Sequence, residues 1–288
     1  MKVAVIGKKG QLARALQDTI QTSVQNTSYR FIGSEDLDIT DSSAVHSFFK
    51  QRSFDILVNC AAYTDVDGAE EDKIAAKALN QIAVSHLVEA CKSHQMRLIH
   101  ISTDYVFDGK ANTPYREDAQ GNPLSVYGET KRGGELEIVE SNIDALIIRT
   151  TWLYSTYGKN FVKTMLKLAE ANKQLKVVDD QIGRPTFAND LADLITALVN
   201  RTKQWPKGAS IYHFSNSGQC SWADFAREIF RVQKLHVEVE NCDSTAFSTK
   251  AQRPHYSVLD LSKIQRDFGV VPRSWQKALN SCLKQLSS

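Results

Sequence analysis

The stretch Lys2-Val3-Ala4-Val5-Ile6-Gly7-Lys8-Lys9-Gly10-Gln11-Leu12-Ala13 decides how the chain is read. Its apolar, β-branched start predicts a strand over 3–6, and the amphipathic run behind it predicts a helix over 12–20. Between the two, a tight turn needs a glycine at its start, a close approach to a pyrophosphate favours a second, and a small third residue lets helix and strand pack. Gly7, Gly10 and Ala13 fill those places, and the helix N-terminus then faces an anion. The spacing is G-x-x-G-x-x-A, not G-x-G-x-x-G, so alone it also fits an ordinary strand-to-helix turn. Its position directly after the first strand is what ties it to a dinucleotide.

Working outward, strands predicted at 29–32, 56–58, 97–101 and 145–148 alternate with helices at 43–49, about 72–93 and 126–140. The strands are apolar at successive positions, as expected where helices cover both faces of a parallel sheet. The chain is therefore predicted to be α/β, a doubly wound, Rossmann-like parallel sheet with its ligand site beyond the carboxyl ends of the strands. Past Trp152 the pattern loosens into helices at 160–170 and 189–199, strands at 176–178, 211–214 and 236–239, a helix capped by Ser221, and a last helix from about Trp275. This reads as a dinucleotide-binding unit over 1–155 and a smaller, mainly substrate-binding lobe over 156–288, partly interleaved, with some elements returning to the sheet.

Composition narrows the function. The 288 residues carry 35 Lys plus Arg against 33 Asp plus Glu, a net charge of +2, with 42% hydrophobic residues. That balance gives no broad footprint for nucleic acid. No apolar stretch approaches the roughly 18 residues of a membrane span, and the start lacks a signal-peptide pattern. Cys60, Cys91, Cys220, Cys242 and Cys282 are scattered with no C-x-x-C, and the histidines form no H-E-x-x-H, so neither a disulfide framework nor a metal site is predicted. A cytoplasmic protein with reduced thiols is the expectation.

Two further segments carry chemistry. In Tyr127-Gly128-Glu129-Thr130-Lys131 a phenol and an ammonium four residues apart share one helix face. A phenol near its usual pKa of about 10 is a poor acid–base at neutral pH, and a neighbouring ammonium favours the phenolate. With nine tyrosines in the chain, the pairing alone also arises by chance. The buried-type strand Arg97-Leu98-Ile99-His100-Ile101 runs into Ser102-Thr103-Asp104-Tyr105-Val106-Phe107-Asp108-Gly109, which sets hydroxyls at a strand's carboxyl end. One of Ser102 and Thr103 also suits a turn cap.

Gly7-x-x-Gly10, Asn59-Cys60-Ala61-Ala62-Tyr63-Thr64, the Ser102–Gly109 segment and Tyr127-x-x-x-Lys131 together resemble the extended short-chain dehydrogenase/reductases that act on nucleotide sugars. Arg149-Thr150-Thr151-Trp152-Leu153-Tyr154, the segment from Asn160 to Leu166 and Asp180-Gln181-Ile182-Gly183-Arg184-Pro185-Thr186 extend the likeness, which runs in order from Lys2 to about Val199 with an echo at Arg253-Pro254. The resemblance implies hydride transfer from NADPH or NADH to the C4 ketone of a dTDP sugar, dTDP-4-dehydro-β-L-rhamnose. Tyr127 would be the proton donor, Lys131 its partner and a ligand of the nicotinamide ribose, and Thr103 would orient the ketone oxygen. Gly10, Gln11 and Leu12 would lie against the diphosphate, Asp38 and Ile39 near the adenine, and Ala61, Ala62 and Tyr63 along the cofactor's middle. Thr103, Asp104 and Trp152 would hold the sugar, with Gln181 and Arg184 toward the nucleotide. Trp152 also reads as a core residue at a strand end, and Arg184 as a solvated loop charge. Phe31-Ile32-Gly33-Ser34 lacks the acid that grips the ribose of NAD, and Arg30 is near, which favours NADPH at least as much as NADH; Glu35 and Asp36 follow closely. Where some relatives place a glutamate for a magnesium-linked dimer, this chain has Arg14-Ala15-Leu16, so a monomer or weak dimer without metal is expected. The resemblance leaves open another nucleotide-sugar reductase or epimerase, or a non-catalytic regulatory subunit of methionine adenosyltransferase.

Overall fold

The computed structural model describes residues 1–21 and 27–287. In chain order its elements are β1 (Lys2–Ile6), α1 (Gln11–Gln21), β2 (Ser28–Ile32), α2 (Ser42–Lys50), β3 (Ile56–Asn59), α3 (Val66–Glu71), α4 (Lys73–Lys77), α5 (Ala83–His94), β4 (Arg97–Thr103), α6 (Val126–Val139) and β5 (Ala145–Thr150). There follow β6 (Leu153–Tyr154), α7 (Phe161–Ala171), β7 (Gln174–Val178), β8 (Ile182–Gly183), β9 (Thr186–Phe187), α8 (Ala188–Val199), β10 (Ala209–His213), β11 (Cys220–Ser221), α9 (Trp222–Val232), β12 (Glu238–Cys242), α10 (Ser262–Phe268) and α11 (Trp275–Ser287).

Among the described residues the main sheet has six strands in the order β10-β5-β4-β3-β1-β2, every pair parallel. All positions of β3 and β5 are buried, the burial expected of central strands covered on both faces. One face packs Leu12, Leu16, Leu191, Ile195 and Leu198 from α1 and α8 over the sheet. The other packs Val45 and Phe49 of α2, Leu87 of α5 and Ile138 of α6. From β1 the chain steps out to β2, then crosses back to β3, so β1 and β3 flank the point where the winding reverses. Ligands of doubly wound sheets bind at that point. A third core, from Val162, Phe225, Ile229, Leu279 and Leu283, holds α7, α9 and α11 beyond the carboxyl ends of the strands.

The helix expected over 72–93 is interrupted. After α3 and α4 the chain makes one π-turn over Ala78–Ile82 before α5 begins. A π-turn inserts one residue into the helical ladder. Here it brings buried Asn80 to the loop after β3, where its Oδ1 accepts from Tyr63 N (2.8 Å) and its Nδ2 donates to Tyr63 O and to Thr130 Oγ1 (both 3.1 Å). Gly134 of α6 makes room: a side chain there would begin 2.3 Å from the Asn80 carbonyl oxygen.

Candidate active site

A cavity of about 770 Å³ runs along the carboxyl ends of β1, β3, β4 and β5, within the usual range for a ligand pocket. Its floor at β1 is Gly7, whose φ of +93° lies in the region that favours glycine. An added Cβ would stand 2.8 Å from Ala61 N and 2.9 Å from the Cys60 carbonyl carbon, so the turn and the loop after β3 touch backbone to backbone. Gly10 N donates to Gly7 O (2.8 Å), and α1 starts at the next residue with its N-terminus on the cavity. This floor fits a dinucleotide diphosphate, because the first N–H groups of a helix and a narrow glycine turn are what such a group binds. Gln11 lines the cavity while its Oε1 accepts from Ser155 Oγ (2.9 Å) and Asn160 Nδ2 (3.0 Å), latching the turn to the start of α7.

Further along, the lining takes in Leu12, Asp38, Ile39, Ala61, Ala62, Thr103, Asp104, Tyr127, Lys131 and Trp152. Asp38 is held below the usual carboxylate value, by the Thr40 hydroxyl first and its backbone N–H second. At the end of β2, Gly33 and Ser34 line the cavity. Glu35 turns its carboxylate to Lys9 (3.0 Å) and Lys8 (3.8 Å), two cations that also line it.

Tyr127 and Thr103 meet because α6 starts hard against β4. Ser125 caps the helix by accepting from Gly128 N, and Glu70 Oε1 accepts from Val126 N at 2.8 Å. Gly128 permits the approach, since a Cβ there would lie 2.2 Å from Tyr105 O. Burial pushes the Tyr127 phenol up to about 12; a hydrogen bond with Thr103 opposes this and the Asp104 carboxylate adds to it. Lys131, expected as the partner of this phenol, is not among the groups that shift it here. Lys131 Nζ is turned to Ile101 O (2.6 Å) and His100 Nε2 (3.2 Å), and desolvation dominates at Tyr127. Lys131 is itself lowered to about 8, chiefly by burial, with Glu135 and Cys60 opposing.

Asp104 is buried, pushed up to about 6 by desolvation against hydrogen bonds from Thr151 (2.9 Å) and Thr103 (3.0 Å). Thr103 is both the cap of the turn after β4, accepting from Tyr105 N, and part of the lining. Ser102 also lines the cavity, but its hydroxyl donates to Glu135 Oε1 (2.7 Å), the centre of a buried network with Arg149 Nε and Nη2 (both 2.7 Å) and Arg132 Nη1 (2.8 Å). Trp152 has φ +48°, uncommon for a bulky residue. Its ring stacks on Trp222 with centroids 3.5 Å apart and lies over Gly183, where a Cβ would come within 2.5 Å of the indole. It is at once a packed residue and part of the cavity wall.

Three predicted residues stand outside the lining. Tyr63 is held back by Asn80 through both its backbone groups. Gln181 is buried with its Oε1 accepting from Trp222 Nε1 (3.2 Å). Arg184, partly buried, donates from Nη1 to Leu259 O (2.7 Å), a carbonyl from a distant part of the chain. Residues that motif reading passed over are His100, Asn59, Asn80 and Glu135. A histidine inside an apolar strand and a glutamate one turn beyond Lys131 were the available signals.

The model of the RmlD substrate binding domain matches residues 1–288. The chain belongs to that family. The family member from Sinorhizobium fredii, a dTDP-4-dehydrorhamnose reductase, is 38% identical over 284 residues, covering 96% of this chain and 95% of the relative. Among solved family structures, a dTDP-4-dehydrorhamnose reductase from Clostridium acetobutylicum superposes with a TM-score of 0.95 at 38% identity, with 100% of both chains covered. The Bacillus anthracis enzyme of the same name, in complex with NADP, gives 0.93 at 33% identity over 99% of each chain. The family fold is the α/β parallel sheet described above, and among the described residues no helix is long and apolar enough to cross a membrane.

Proposed function

We infer that the chain is a dTDP-4-dehydrorhamnose reductase, using NADPH to reduce the C4 ketone of dTDP-4-dehydro-β-L-rhamnose to dTDP-L-rhamnose. The observation that carries this reading is the meeting of Tyr127, Thr103 and Lys131 on one cavity that runs back to the Gly7 turn. The unit over 1–155 would hold the cofactor, with Gly7, Gly10, Gln11 and Leu12 at its diphosphate and Ala61 and Ala62 beside its middle, and the lobe over 156–288 would close over the sugar.

When bound, NADPH supplies the hydride that reaches C4. The oxygen there gains negative charge as the carbonyl opens, and Tyr127 donates its Oη proton to it. A phenol pushed up to about 12 carries that proton throughout the neutral range, which suits a donor in the reducing direction. Thr103, bonded to both Tyr127 and Asp104, aligns the oxygen with the phenol. Asp104 and Trp152, each just past the carboxyl end of its strand in the neighbouring parallel pair β4 and β5, hold the sugar's hydroxyl groups and its face. Lys8 and Lys9, beside Ser34, favour the 2′-phosphate of NADPH.

The test is loss of NADPH absorbance with the purified chain and a panel of dTDP- and GDP-linked 4-keto sugars. Turnover with the dTDP-4-dehydro-L-rhamnose substrate well above the other sugars is expected. Equal rates across the panel, or redox-neutral epimerisation without net cofactor oxidation, would overturn the reading.

A further inference from the structure

Five groups behind the cavity, the central three buried, form a single file of four hydrogen bonds. Ala61 N donates to Asn59 Oδ1 (3.1 Å), Asn59 Nδ2 meets His100 Nδ1 (3.1 Å), Lys131 Nζ meets His100 Nε2 (3.2 Å), and Nζ also donates to Ile101 O (2.6 Å). Asn59 is 1% exposed, His100 0% and Lys131 2%, so no solvent relieves a mismatched contact.

The direction of each bond follows from what its atoms can do. A backbone N–H only donates, so the Asn59 atom facing Ala61 must be oxygen. Its amide NH₂ then faces His100, and Nδ1 must accept. A neutral imidazole with an accepting Nδ1 carries its hydrogen on Nε2. That N–H points at Lys131 Nζ, which accepts only as an amine with a free lone pair. An ammonium there sets donor against donor at 3.2 Å. Reversing His100 moves the conflict to Asn59, and turning the Asn59 amide moves it to Ala61. Only an uncharged Lys131 satisfies the whole file.

We propose that His100 is a positioning residue that holds Lys131 as a neutral amine in the free enzyme, so that dinucleotide binding is coupled to uptake of one proton by Lys131. The proton comes from solvent, adds to the Nζ lone pair and breaks no other bond. Charging Nζ makes its contact with His100 repulsive while leaving Ile101 O as an acceptor, which frees the ammonium to turn toward the cavity it lines. The groups facing Lys131 allow this. From β4, His100 is held well below its ordinary range by burial first and Lys131 second. From the end of β3, the Cys60 thiol is pushed up to about 12 by burial and stays uncharged. On α6 itself, Tyr127 is a neutral phenol, and the Glu135 carboxylate is committed to Arg149, Arg132 and Ser102. Lys131 is lowered to about 8, chiefly by burial, so the uncharged form is within reach.

The proposal rests on the dinucleotide reading of the cavity, and the experiment separates the two. In ¹⁵N-histidine NMR of the free enzyme, His100 should show the Nε2–H tautomer; the Nδ1–H tautomer overturns the proposal. Calorimetric titration with NADPH near pH 8.5, in buffers of different ionisation heat, should show more than half a proton taken up per dinucleotide, falling toward zero near pH 6.5. At the higher pH the cofactor phosphates are fully ionised and contribute nothing. Heat of binding without proton uptake overturns the proposal, whereas no binding at all overturns the functional reading and leaves the tautomer to decide this one. In Asn59→Asp both carboxylate oxygens accept, so His100 should switch to Nδ1–H and the uptake should vanish; an unchanged tautomer overturns the donor logic. Should that variant fail to fold, the two wild-type measurements decide.

Discussion

Replacing Tyr127 with phenylalanine removes one oxygen from the centre of the cavity and little else. The ring is 9% exposed and packs edge-on against Tyr105, with centroids 5.4 Å apart, and phenylalanine preserves that contact. The lost hydroxyl is bonded to Thr103, whose own hydroxyl still reaches Asp104 at 3.0 Å. No buried partner is left orphaned, so the stability change should stay within about 1 kcal/mol, the net worth of one hydrogen bond. The catalytic loss is of another order. A positioned general acid contributes about 10²–10⁴-fold, which is about 2.7–5.5 kcal/mol of barrier. Water replaces it poorly in a site where burial, as the first cause, moves the phenol to about 12. The variant should therefore bind NADPH as the parent does, unfold at nearly the same urea concentration and reduce the dTDP sugar at least about a hundredfold more slowly. Single-turnover oxidation of bound NADPH isolates the chemical step. A rate within threefold of the parent, with unchanged stability, would remove Tyr127 from the proton-donor role.

Asp104→Asn should stabilise the protein at neutral pH while impairing turnover: the carboxyl rises from 3.8 to about 6 on folding, which at about 1.4 kcal/mol per pH unit is a cost of up to about 3 kcal/mol. Because the folded state holds that proton more tightly, wild-type stability from this group is complete below about pH 4 and lost as pH rises through 6, so the variant's advantage should grow over that window and level off above it in urea titrations. Glu135→Gln should cost about 3–5 kcal/mol by leaving Arg149 buried with its charge unpaired, whereas the double change Glu135→Leu, Arg149→Met should cost less than the single one. Changing Lys8 and Lys9 together to alanine should raise the KM for NADPH about tenfold and leave that for NADH unchanged, a difference that added salt should shrink because both side chains are largely exposed.

The sheet was legible because a parallel strand covered on both faces is written as consecutive apolar residues, and the turn after β1 because only glycine serves there. Asp38, Ala61, Thr103, Tyr127 and Lys131 reach the same cavity for the same reason: each stands at or just past the carboxyl end of a strand, or on the helix packed against one. What stayed hidden depends on partners far along the chain. Arg184 reads as a free cation until Leu259, 75 residues later, offers its carbonyl. Gln181 is taken by Trp222. The π-turn at Ala78–Ile82 sits where Asn80 packs against Gly134, a contact between residues more than fifty positions apart that local periodicity does not encode. The strand expected over 236–239 lies at 238–242, where β12 pairs in register with β7.

Four buried titratable groups at the cavity shift toward their uncharged forms: Tyr127 and Asp104 upward, Lys131 and His100 downward, each with burial as the first cause. The near-balanced charge of the chain, +2, belongs to the same design, because the anionic ligands are left to backbone N–H groups at the Gly7 turn and a few single cations. The shift at Tyr127 gives the reaction a direction. Reduction of the ketone consumes one proton overall, so the ratio of forward to reverse kcat/KM must fall about tenfold for each pH unit. With Tyr127 already protonated in the free enzyme, the forward reaction needs no change of state at that residue, whereas the reverse reaction needs a phenolate that burial opposes. The whole pH dependence should then lie in the reverse direction: between about pH 6.5 and 7.5, sugar oxidation should rise about tenfold while reduction stays level. A forward kcat/KM that itself falls tenfold across that interval would mean the donor's proton is being lost there, and would place the acid on a group other than Tyr127.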